Sequence, residues 1–378
     1  MPSKIVERIA QKTAIPHLFA TLAEELPLSD LQSLLLEVYQ ARAAVLREPD
    51  LAARAGRALL KPSNIDARLL NQFDRVAFEA ADGFEAIELS PVGPLGLNRV
   101  LGAIDQNSVL TTIRNAEVLG DPTMAMALEC WQRRKGASLR DRAATVRLCS
   151  SQRVVRLQPF DVDGYTPHFR LFAMVSAGRD TGSNAFELQH LGEHVRFYLK
   201  LFRALNGNGF HFGGSLVEIS DTAITGALLA SHGIAPEQVR ESIRAHRAGG
   251  SERFLAEHGL SLPKAVEDPG SELAEVAARH KLDRCVHRLA LLKTHLTETL
   301  RDFPKAQLRF NFARLEGLAY YAGPCLRISP AAADFERHPI VDGGFTNWTA
   351  RLLQDRKERL LTSGIGTEFA CFRYRAAT

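Results

Sequence analysis

Residues 315–323, with the sequence LEGLAYYAG, place two adjacent tyrosines between two glycines. Glycine allows other chain segments to approach closely, and a tyrosine ring offers a rigid apolar wall with a hydroxyl at its end. This combination predicts that Tyr320 and Tyr321 line a pocket. The alternative is that both are core residues of a pair of strands, because residues 320–328 also have the texture of a strand.

Strand-like segments elsewhere follow one another in the sequence, with helical segments on their flanks. The predicted strands, besides 320–328, are 84–89, 147–156, 169–175, 212–219 and 307–312. The clearest predicted helices are 66–80, 186–205 and 346–358. Neighbouring strands in sequence indicate an antiparallel sheet, so we expect the α+β class, an antiparallel sheet flanked by helices. We divide the chain into a helical N-terminal segment at 1–78, a core at 79–230 and 304–378, and a helical insertion at 231–303.

Composition excludes several classes of protein. The 378 residues are 46% hydrophobic and 24% charged, which is typical of a folding chain and not of a disordered one. The net charge of +4 comes from 47 basic and 43 acidic residues that are interspersed, so no basic stripe predicts nucleic-acid binding. No apolar run is long enough for a membrane helix, and we expect a cytoplasmic protein without membrane contact.

Metal and disulfide sites are not expected either. The five cysteines form no C-x-x-C pair, which argues against a structural zinc site and a disulfide framework. His190 and His194 have the i, i+4 spacing that can bind a metal on a helix, but the H-E-x-x-H order is absent. A solvent-facing or interface helix is the better interpretation of that pair.

Residues 147–156, RLCSSQRVVR, carry the first family resemblance. They resemble the second signature motif of class II aminoacyl-tRNA synthetases, in which a strand ends in an arginine that grips the α-phosphate of ATP. Arg156 takes that position, the Pro- and Asp-rich residues 159–167 take the place of the loop, and Phe169 opens the returning strand. A guanidinium suits this role because its planar fork meets phosphate oxygens in pairs.

Further motifs follow in the family's order. Residues 315–323 resemble the Arg-Gly-Leu-Asp-Tyr-Tyr signature of the histidyl branch, and Val341-Asp342-Gly343-Gly344-Phe345 resembles the Gly-Gly turn after it. Residues 365–368 resemble the third motif, which adds Gly366 and Glu368 to the nucleotide-binding residues. Residues 229–260 resemble the helical insertion. Residues 84–97 resemble the first motif, so the resemblance implies a homodimer through the region near Pro91.

The departures from the family concern the residues that perform its chemistry. Glu316 stands where the signature arginine assists attack on ATP, and Phe369 replaces the arginine of the third motif. Gln158 replaces a glutamate that touches adenine. Leu171 and Val175 replace the residues that bind the substrate ammonium. Loss of one cation near a developing negative charge typically costs roughly 3 kcal/mol, so charging of tRNA by the family mechanism is not expected. The chain also ends soon after the third motif, leaving no room for an anticodon-binding domain, and tRNA is not an expected partner.

Part of the pocket is retained. Asp121 and Thr123, in Gly120-Asp121-Pro122-Thr123, resemble the Asp-x-Thr element of a paralogue, the regulatory subunit of ATP phosphoribosyltransferase. With Tyr320 and Tyr321 they are candidate substrate-binding residues, as are Gly343 and Gly344 from the motif above. We also assign Glu218 to this set, because its strand follows a glycine pair and can direct it into the same cavity.

Three functions are consistent with these residues. The first is a paralogue that does not charge tRNA and binds an amino acid or nucleotide as a regulatory or accessory subunit of a partner enzyme. The second is a ligase that activates a carboxylate with ATP and Mg²⁺ and passes it to a small amine, a carrier protein or another acceptor, with Arg156 and Glu316 as its catalytic residues. The third is an interaction protein with a vestigial pocket. The sequence leaves open whether Glu316 is functional or inactivating.

Overall fold

The computed structural model describes residues 3–136, 144–158, 166–245 and 250–375. The strands are β1 (Glu85–Ala86), β2 (Val92–Pro94), β3 (Ala116–Val118), β4 (Val146–Val155), β5 (His168–Arg179), β6 (Ser215–Asp221), β7 (Gln307–Phe310), β8 (Pro324–Pro330), β9 (Val341–Thr346) and β10 (Glu358–Gly366). The α-helices are α1 (Lys4–Thr13), α2 (Leu18–Ala20), α3 (Leu28–Ala44), α4 (Glu48–Ala55), α5 (Ala67–Ala80), α6 (Leu97–Gly102), α7 (Pro122–Lys135), α8 (Ala185–Asn206), α9 (Thr222–Ala230), α10 (Pro236–Ala245), α11 (Gly250–Glu257), α12 (Pro269–Glu272), α13 (Ala274–His280), α14 (Asp283–Leu300), α15 (Trp348–Leu353) and α16 (Thr367–Arg373). The described residues also include a π-helix (Thr21–Glu25) and the 3₁₀ turns Ala58–Leu60, Gln106–Ser108 and Glu316–Ala319.

Eight of these strands form one sheet in the order β1-β4-β5-β10-β9-β8-β6-β7. The six central strands pair antiparallel, whereas β1 and β7 are parallel to their neighbours at the edges. Helices cover the sheet, so the predicted α+β class with an antiparallel core is confirmed. Strands β2 and β3 form a separate pair. None of the helices in the described ranges is both long and apolar enough to cross a bilayer.

Alternation along β5 explains how the sheet acquires two different faces. Phe172 and Met174 are buried in the main core with α8 and α14, while Ala173 points the opposite way. Because successive strand residues point to opposite faces, one face of the sheet packs on long helices. The other face packs partly on α7 and α15 and leaves room for a cleft beside them.

The N-terminal helices contribute nothing to this core. Helices α1 to α4 bury no side chain, whereas Leu70, Phe73 and Val76 of α5 are buried in the main cluster. Helix α14, from the predicted insertion, also packs its apolar face into that cluster. A smaller cluster joins α10 and α11 to Leu315, next to the tyrosine pair.

Three expectations about local structure were wrong. Residues 320 and 321 follow the 3₁₀ turn Glu316–Ala319 and precede β8, so the tyrosines are not members of a strand pair. The segment resembling a Gly-Gly turn is strand β9. Only Trp348–Leu353 of the predicted helix at 346–358 is helical, because Glu358 begins β10. Strand β10 lies between β5 and β9; pairing with two distant strands overrides local preference there.

The histidine pair on α8 also differs from its interpretation. His190 and His194 are both buried, not solvent-facing. His194 lies 3.0 Å from the Ser176 hydroxyl and 2.7 Å from the Ser363 hydroxyl. Burial lowers the pKa of His194 to about 3. The neutral ring therefore links α8 to the face of β5 and β10 on which this helix packs.

A buried ion pair between α7 and β10 gives a test of this architecture. Arg134 and Glu358 are 2% and 3% exposed and meet at 2.6 Å. We expect Arg134→Met to lower the free energy of unfolding by roughly 3–5 kcal/mol, because the Glu358 carboxylate remains buried without its cation. Urea unfolding at pH 7 measures this change.

The double variant Arg134→Met with Glu358→Leu is the matched control. It removes both charges, so it should be more stable than Arg134→Met alone. A double variant as unstable as the sum of the two single variants would show that the pair does not act as a unit.

Candidate functional site

A cleft of about 440 Å³ opens on the face of the sheet opposite α8. Its walls come from β5, β9, β10, the N-terminus of α7 and the 3₁₀ turn before the tyrosines. The lining residues are Asn98, Ile104, Ser108, Val109, Gly120, Asp121, Pro122, Thr123, Arg156, Gln158, Phe169, Leu171, Ala173, Arg314, Glu316, Gly317, Tyr320, Tyr321, Pro339, Ile340, Asp342, Thr362, Ser363, Gly364, Gly366, Glu368 and Phe369. The second-motif and tyrosine segments therefore share one cavity.

Arg156 is held at the end of the β4 strand by the backbone of the segment before α7. Its Nε donates to the carbonyl oxygen of Gly120 at 2.7 Å, and its Nη2 lies 3.5 Å from Asp121 Oδ2. The guanidinium also lies over the ring of Phe169, 5.3 Å from its centroid. The side chain keeps 31% of its exposure, so an anion in the cleft can reach it.

Asp121 begins α7 and organises a compact polar group. Its Oδ1 accepts from the backbone N–H and the hydroxyl of Thr123 at 2.9 and 2.7 Å, which is a helix N-cap. Its Oδ2 accepts from the Tyr320 hydroxyl at 3.0 Å. Burial, and then the charge of Asp121, raise the pKa of Tyr320 well above its ordinary value. The tyrosine is therefore a neutral donor to Asp121.

Tyr321 points to a second carboxylate. Its hydroxyl donates to Oδ1 of Asp342, and Oδ2 of Asp342 accepts from Arg314. Arg314 is 2% exposed and also donates to the Leu326 carbonyl at 2.9 Å. Sequence analysis did not single out Arg314 or Asp342. The signal was present, since Arg314 directly precedes the tyrosine segment and Asp342 directly precedes the glycine pair.

Glu316 is bound on both oxygens. One accepts from the backbone N–H of Ser251, near the start of α11, and the other lies 3.3 Å from Arg327. The Ser251 hydroxyl in turn accepts from the N–H of Leu315 at 2.8 Å. Burial opposes ionisation, but Arg327 and the Ser251 hydrogen bond outweigh it, so the pKa of Glu316 is lowered. Glu316 joins the insertion to the turn that carries the tyrosines.

The predicted nucleotide-binding residues also line the cleft. Gln158, Phe169, Gly366 and Glu368 all belong to its wall. The Glu368 carboxylate is already engaged, because it accepts from the backbone N–H of Arg170 at 2.7 Å, from the Arg153 guanidinium at 3.2 Å and from the Ser63 hydroxyl. Their roles in binding a nucleotide stay predictions.

Glu218 does not line the cleft, contrary to expectation. It pairs across the sheet with Arg327, which pairs with Asp342, so all three share the cleft face. Glu218 lies two strands away from Asp342, and its carboxylate accepts from Arg309 and Asn311 at 2.8 Å each. These contacts satisfy it outside the cavity.

Gly343 and Gly344 are likewise not among the lining residues. A Cβ on Gly344 would lie 2.6 Å from Cys325 Cβ and 2.8 Å from the Tyr321 ring. One on Gly343 would lie 2.7 Å from the carbonyl oxygen of Thr362. These glycines allow β9 to pack closely on β10 and under Tyr321. They shape the cleft without contacting its contents.

The described cleft residues offer little for a triphosphate or a metal ion. Four carboxylates and two guanidiniums line the cavity, and one of the guanidiniums, that of Arg314, is buried against Asp342. Within the described ranges, no group of three or more His, Cys, Asp or Glu side chains is placed to hold a metal ion. Arg156 is the exposed cation of this wall.

Solved structures of known proteins share this architecture. A crystal structure of histidyl-tRNA synthetase from Nostoc sp. superimposes with a TM-score of 0.60 at 15% identity, over 82% of this chain and 72% of that one. The chain has the fold of a histidyl-tRNA synthetase core. A histidine–tRNA ligase subunit from Alicyclobacillus acidocaldarius gives a TM-score of 0.61 at 13% identity, over 82% and 94% of the two chains.

A third structure, described as an ATP phosphoribosyltransferase regulatory subunit/histidyl-tRNA synthetase from Bacillus halodurans, gives a TM-score of 0.59 at 16% identity, over 82% of each chain. The sequence matches no family model and no curated protein. The predicted histidyl-synthetase-like core is confirmed at the level of the fold.

The contacts of Glu316 predict a pH-dependent stability. Because its folded pKa lies below the ordinary value of 4.5, the ionised side chain stabilises the fold above about pH 4.5. That contribution is lost as the pH falls through the lowered pKa. We expect Glu316→Gln to lower the free energy of unfolding by roughly 1 kcal/mol at pH 7, and the difference from the unsubstituted protein to shrink below pH 4.5. Unfolding by urea across this pH range measures it.

Glu298→Gln is the control, since Glu298 is 72% exposed and lies 3.7 Å from Arg301 on the surface. It should change stability little at any pH. If the free energy of unfolding of Glu316→Gln stayed below that of the unsubstituted protein by the same amount down to pH 3, the charge of Glu316 would not be what stabilises the turn.

Proposed function

We propose that this protein binds an amino acid in its synthetase-like cleft and acts as a regulatory or accessory subunit that does not charge tRNA. One observation carries the proposal: Arg156 and Asp121 lie 3.5 Å apart on the wall of one cleft. An α-amino acid bears one anion and one cation on the same carbon. The Arg156 guanidinium suits its carboxylate, and the Asp121 group with Thr123 and Tyr320 suits its ammonium.

The charge of the cleft supports binding without adenylation. Adenylation needs cations around the phosphates in the transition state. Glu316 stands where the family has an arginine, and Arg314, two residues earlier, is already bound to Asp342. Among the lining residues that the structure describes, a triphosphate would meet one exposed guanidinium and four carboxylates. An amino acid has no such requirement.

The accessory role rests on a fold likeness and on the surface of the N-terminal helices. The Bacillus halodurans structure is described as an ATP phosphoribosyltransferase regulatory subunit/histidyl-tRNA synthetase, and the first of these descriptions makes assembly with a partner enzyme part of the proposal. Helices α1 and α3 expose apolar side chains such as Ile5, Ile9 and Leu34. A surface of that kind suits a protein partner. A homodimer through the region near Pro91 stays a prediction.

Calorimetric titration of the purified protein with the twenty amino acids tests the proposal. We expect at least one to bind, and Arg156→Ala to weaken that binding about tenfold or more, because the carboxylate loses a charge-assisted pair. Arg75→Ala is the matched control, since Arg75 makes an exposed ion pair with Glu79 away from the cleft. It should bind as the unsubstituted protein does.

Two results would contradict the proposal. One is the absence of binding for every amino acid, which would favour the vestigial pocket. The other is accumulation of aminoacyl-tRNA when the protein is incubated with total tRNA, ATP and amino acids.

A ligase remains the second candidate, and one observation favours it. Arg156 and Phe169 form a stacked pair in the same cleft as Gln158 and Gly366, the arrangement that would hold a nucleotide. If ATP and Mg²⁺ were bound there, attack of the amino-acid carboxylate on the α-phosphate would form an aminoacyl adenylate and release pyrophosphate. Release of pyrophosphate on addition of an amino acid, abolished by Arg156→Ala, would establish this function instead.

A further inference from the structure

Asp342 presents a second negative pole to the cleft. Its side chain is 50% exposed, whereas its partner Arg314 is 2% exposed and lies behind it. The Tyr321 hydroxyl fixes the other carboxylate oxygen. A ligand in the cleft therefore meets the carboxylate before it meets the guanidinium.

The tyrosine pair connects Asp342 to Asp121, the carboxylate that is proposed to bind the ammonium of the amino acid. Tyr320 donates to Asp121, and Tyr321 donates to Asp342. The two rings contact each other edge to face with centroids 5.0 Å apart. Because the two rings are rigid, pack on each other and each donate a hydroxyl to one carboxylate, they hold the spacing between Asp121 and Asp342.

The wall between the two poles is apolar. Leu171 and Ala173 of β5 line it, together with Ile340 before β9. In the family that the sequence resembles, the position of Leu171 is polar and contacts the substrate. An aliphatic stem packs against such a wall without leaving a polar group unpaired, whereas a short polar side chain does not fill it.

The remaining charges of the cleft are compensated from outside its wall. Glu316 pairs with Arg327 and Glu368 pairs with Arg153, and neither arginine is among the lining residues. Asp121 faces Arg156, so an amino acid's own carboxylate and ammonium match that end. Asp342 is the most exposed of the four cleft carboxylates, at 50% against 33% for Glu316, 18% for Asp121 and 5% for Glu368, whereas its own cation Arg314 lines the cleft but is only 2% exposed. That exposure favours a positive ligand group at this end.

We propose that the cleft selects an amino acid whose aliphatic side chain ends in a cationic nitrogen, and that Asp342 is the residue that selects it. This inference rests on the proposed amino-acid binding. The α-carboxylate and α-ammonium lie at Arg156 and Asp121, the stem lies along Leu171 and Ala173, and the terminal nitrogen donates to Asp342. No bond is made or broken.

Calorimetric titration with L-lysine and L-norleucine tests this proposal, because the two differ only in the terminal ammonium. Lysine should bind about tenfold or more tightly than norleucine, the size expected of one hydrogen bond between charged groups. Asp342→Asn should abolish that preference, so that lysine and norleucine bind the variant with equal affinity. Asp302→Asn, which alters an exposed carboxylate outside the cleft, should keep the preference.

Thermal unfolding without ligand checks that Asp342→Asn is folded, since the variant leaves Arg314 without its anion. If it does not fold, Asp342→Glu replaces it and should retain the preference for lysine. Equal binding of lysine and norleucine to the unsubstituted protein overturns the inference while the proposed amino-acid binding stands. Tightest binding by glutamine also overturns it. Absence of binding for all amino acids contradicts the proposed function itself.

Discussion

Strand β10 holds the two halves of the cleft together. It pairs with β5 over nine residue positions, Glu358–Gly366, and with β9 over six. Arg156, directly after β4, and Phe169, on β5, lie on one side of β10. Asp342, on β9, lies on the other side. The backbone hydrogen bonds of β10 therefore set the distance between the groups that would hold the two ends of a ligand. Buried contacts of its Glu358 and Ser363 with Arg134 and His194 fix it from both layers of helices.

Charge compensation is the second constraint. A charge removed from water is costly unless a partner of opposite sign is close. Each carboxylate of the cleft has such a partner: Arg156 for Asp121, Arg314 for Asp342, Arg327 for Glu316 and Arg153 for Glu368. Arg314, Arg327 and Arg153 are thereby committed to the protein's own anions, and Arg156, which is 31% exposed, keeps a free side for one ligand anion. A site built this way favours a ligand of small net charge over a polyanion such as ATP.

Sequence reasoning predicted the fold class and many of the residues that line the cleft, but it missed the ion pair of Arg314 and Asp342. Residues with a motif, such as Arg156, Asp121 and Tyr320, were found because their order along the chain is itself a signal. Arg314 and Asp342 lie within or beside quoted segments, yet their pairing depends on β8 and β9 lying next to each other. The status of Glu218 depended on its partners Arg309 and Asn311, which come from another strand and the loop after it.

The substitution of a glutamate for the signature arginine has a physical explanation in these contacts. An arginine at position 316 would meet Arg327 at close range and lose the hydrogen bond from the backbone of Ser251. The glutamate instead satisfies the start of α11 and neutralises Arg327, and thus attaches the insertion to the turn that positions both tyrosines. An anion there opposes phosphate chemistry, but it helps to fix the wall of a binding pocket. The same residue that argues against the family's catalysis therefore supports a maintained cleft rather than a decayed one.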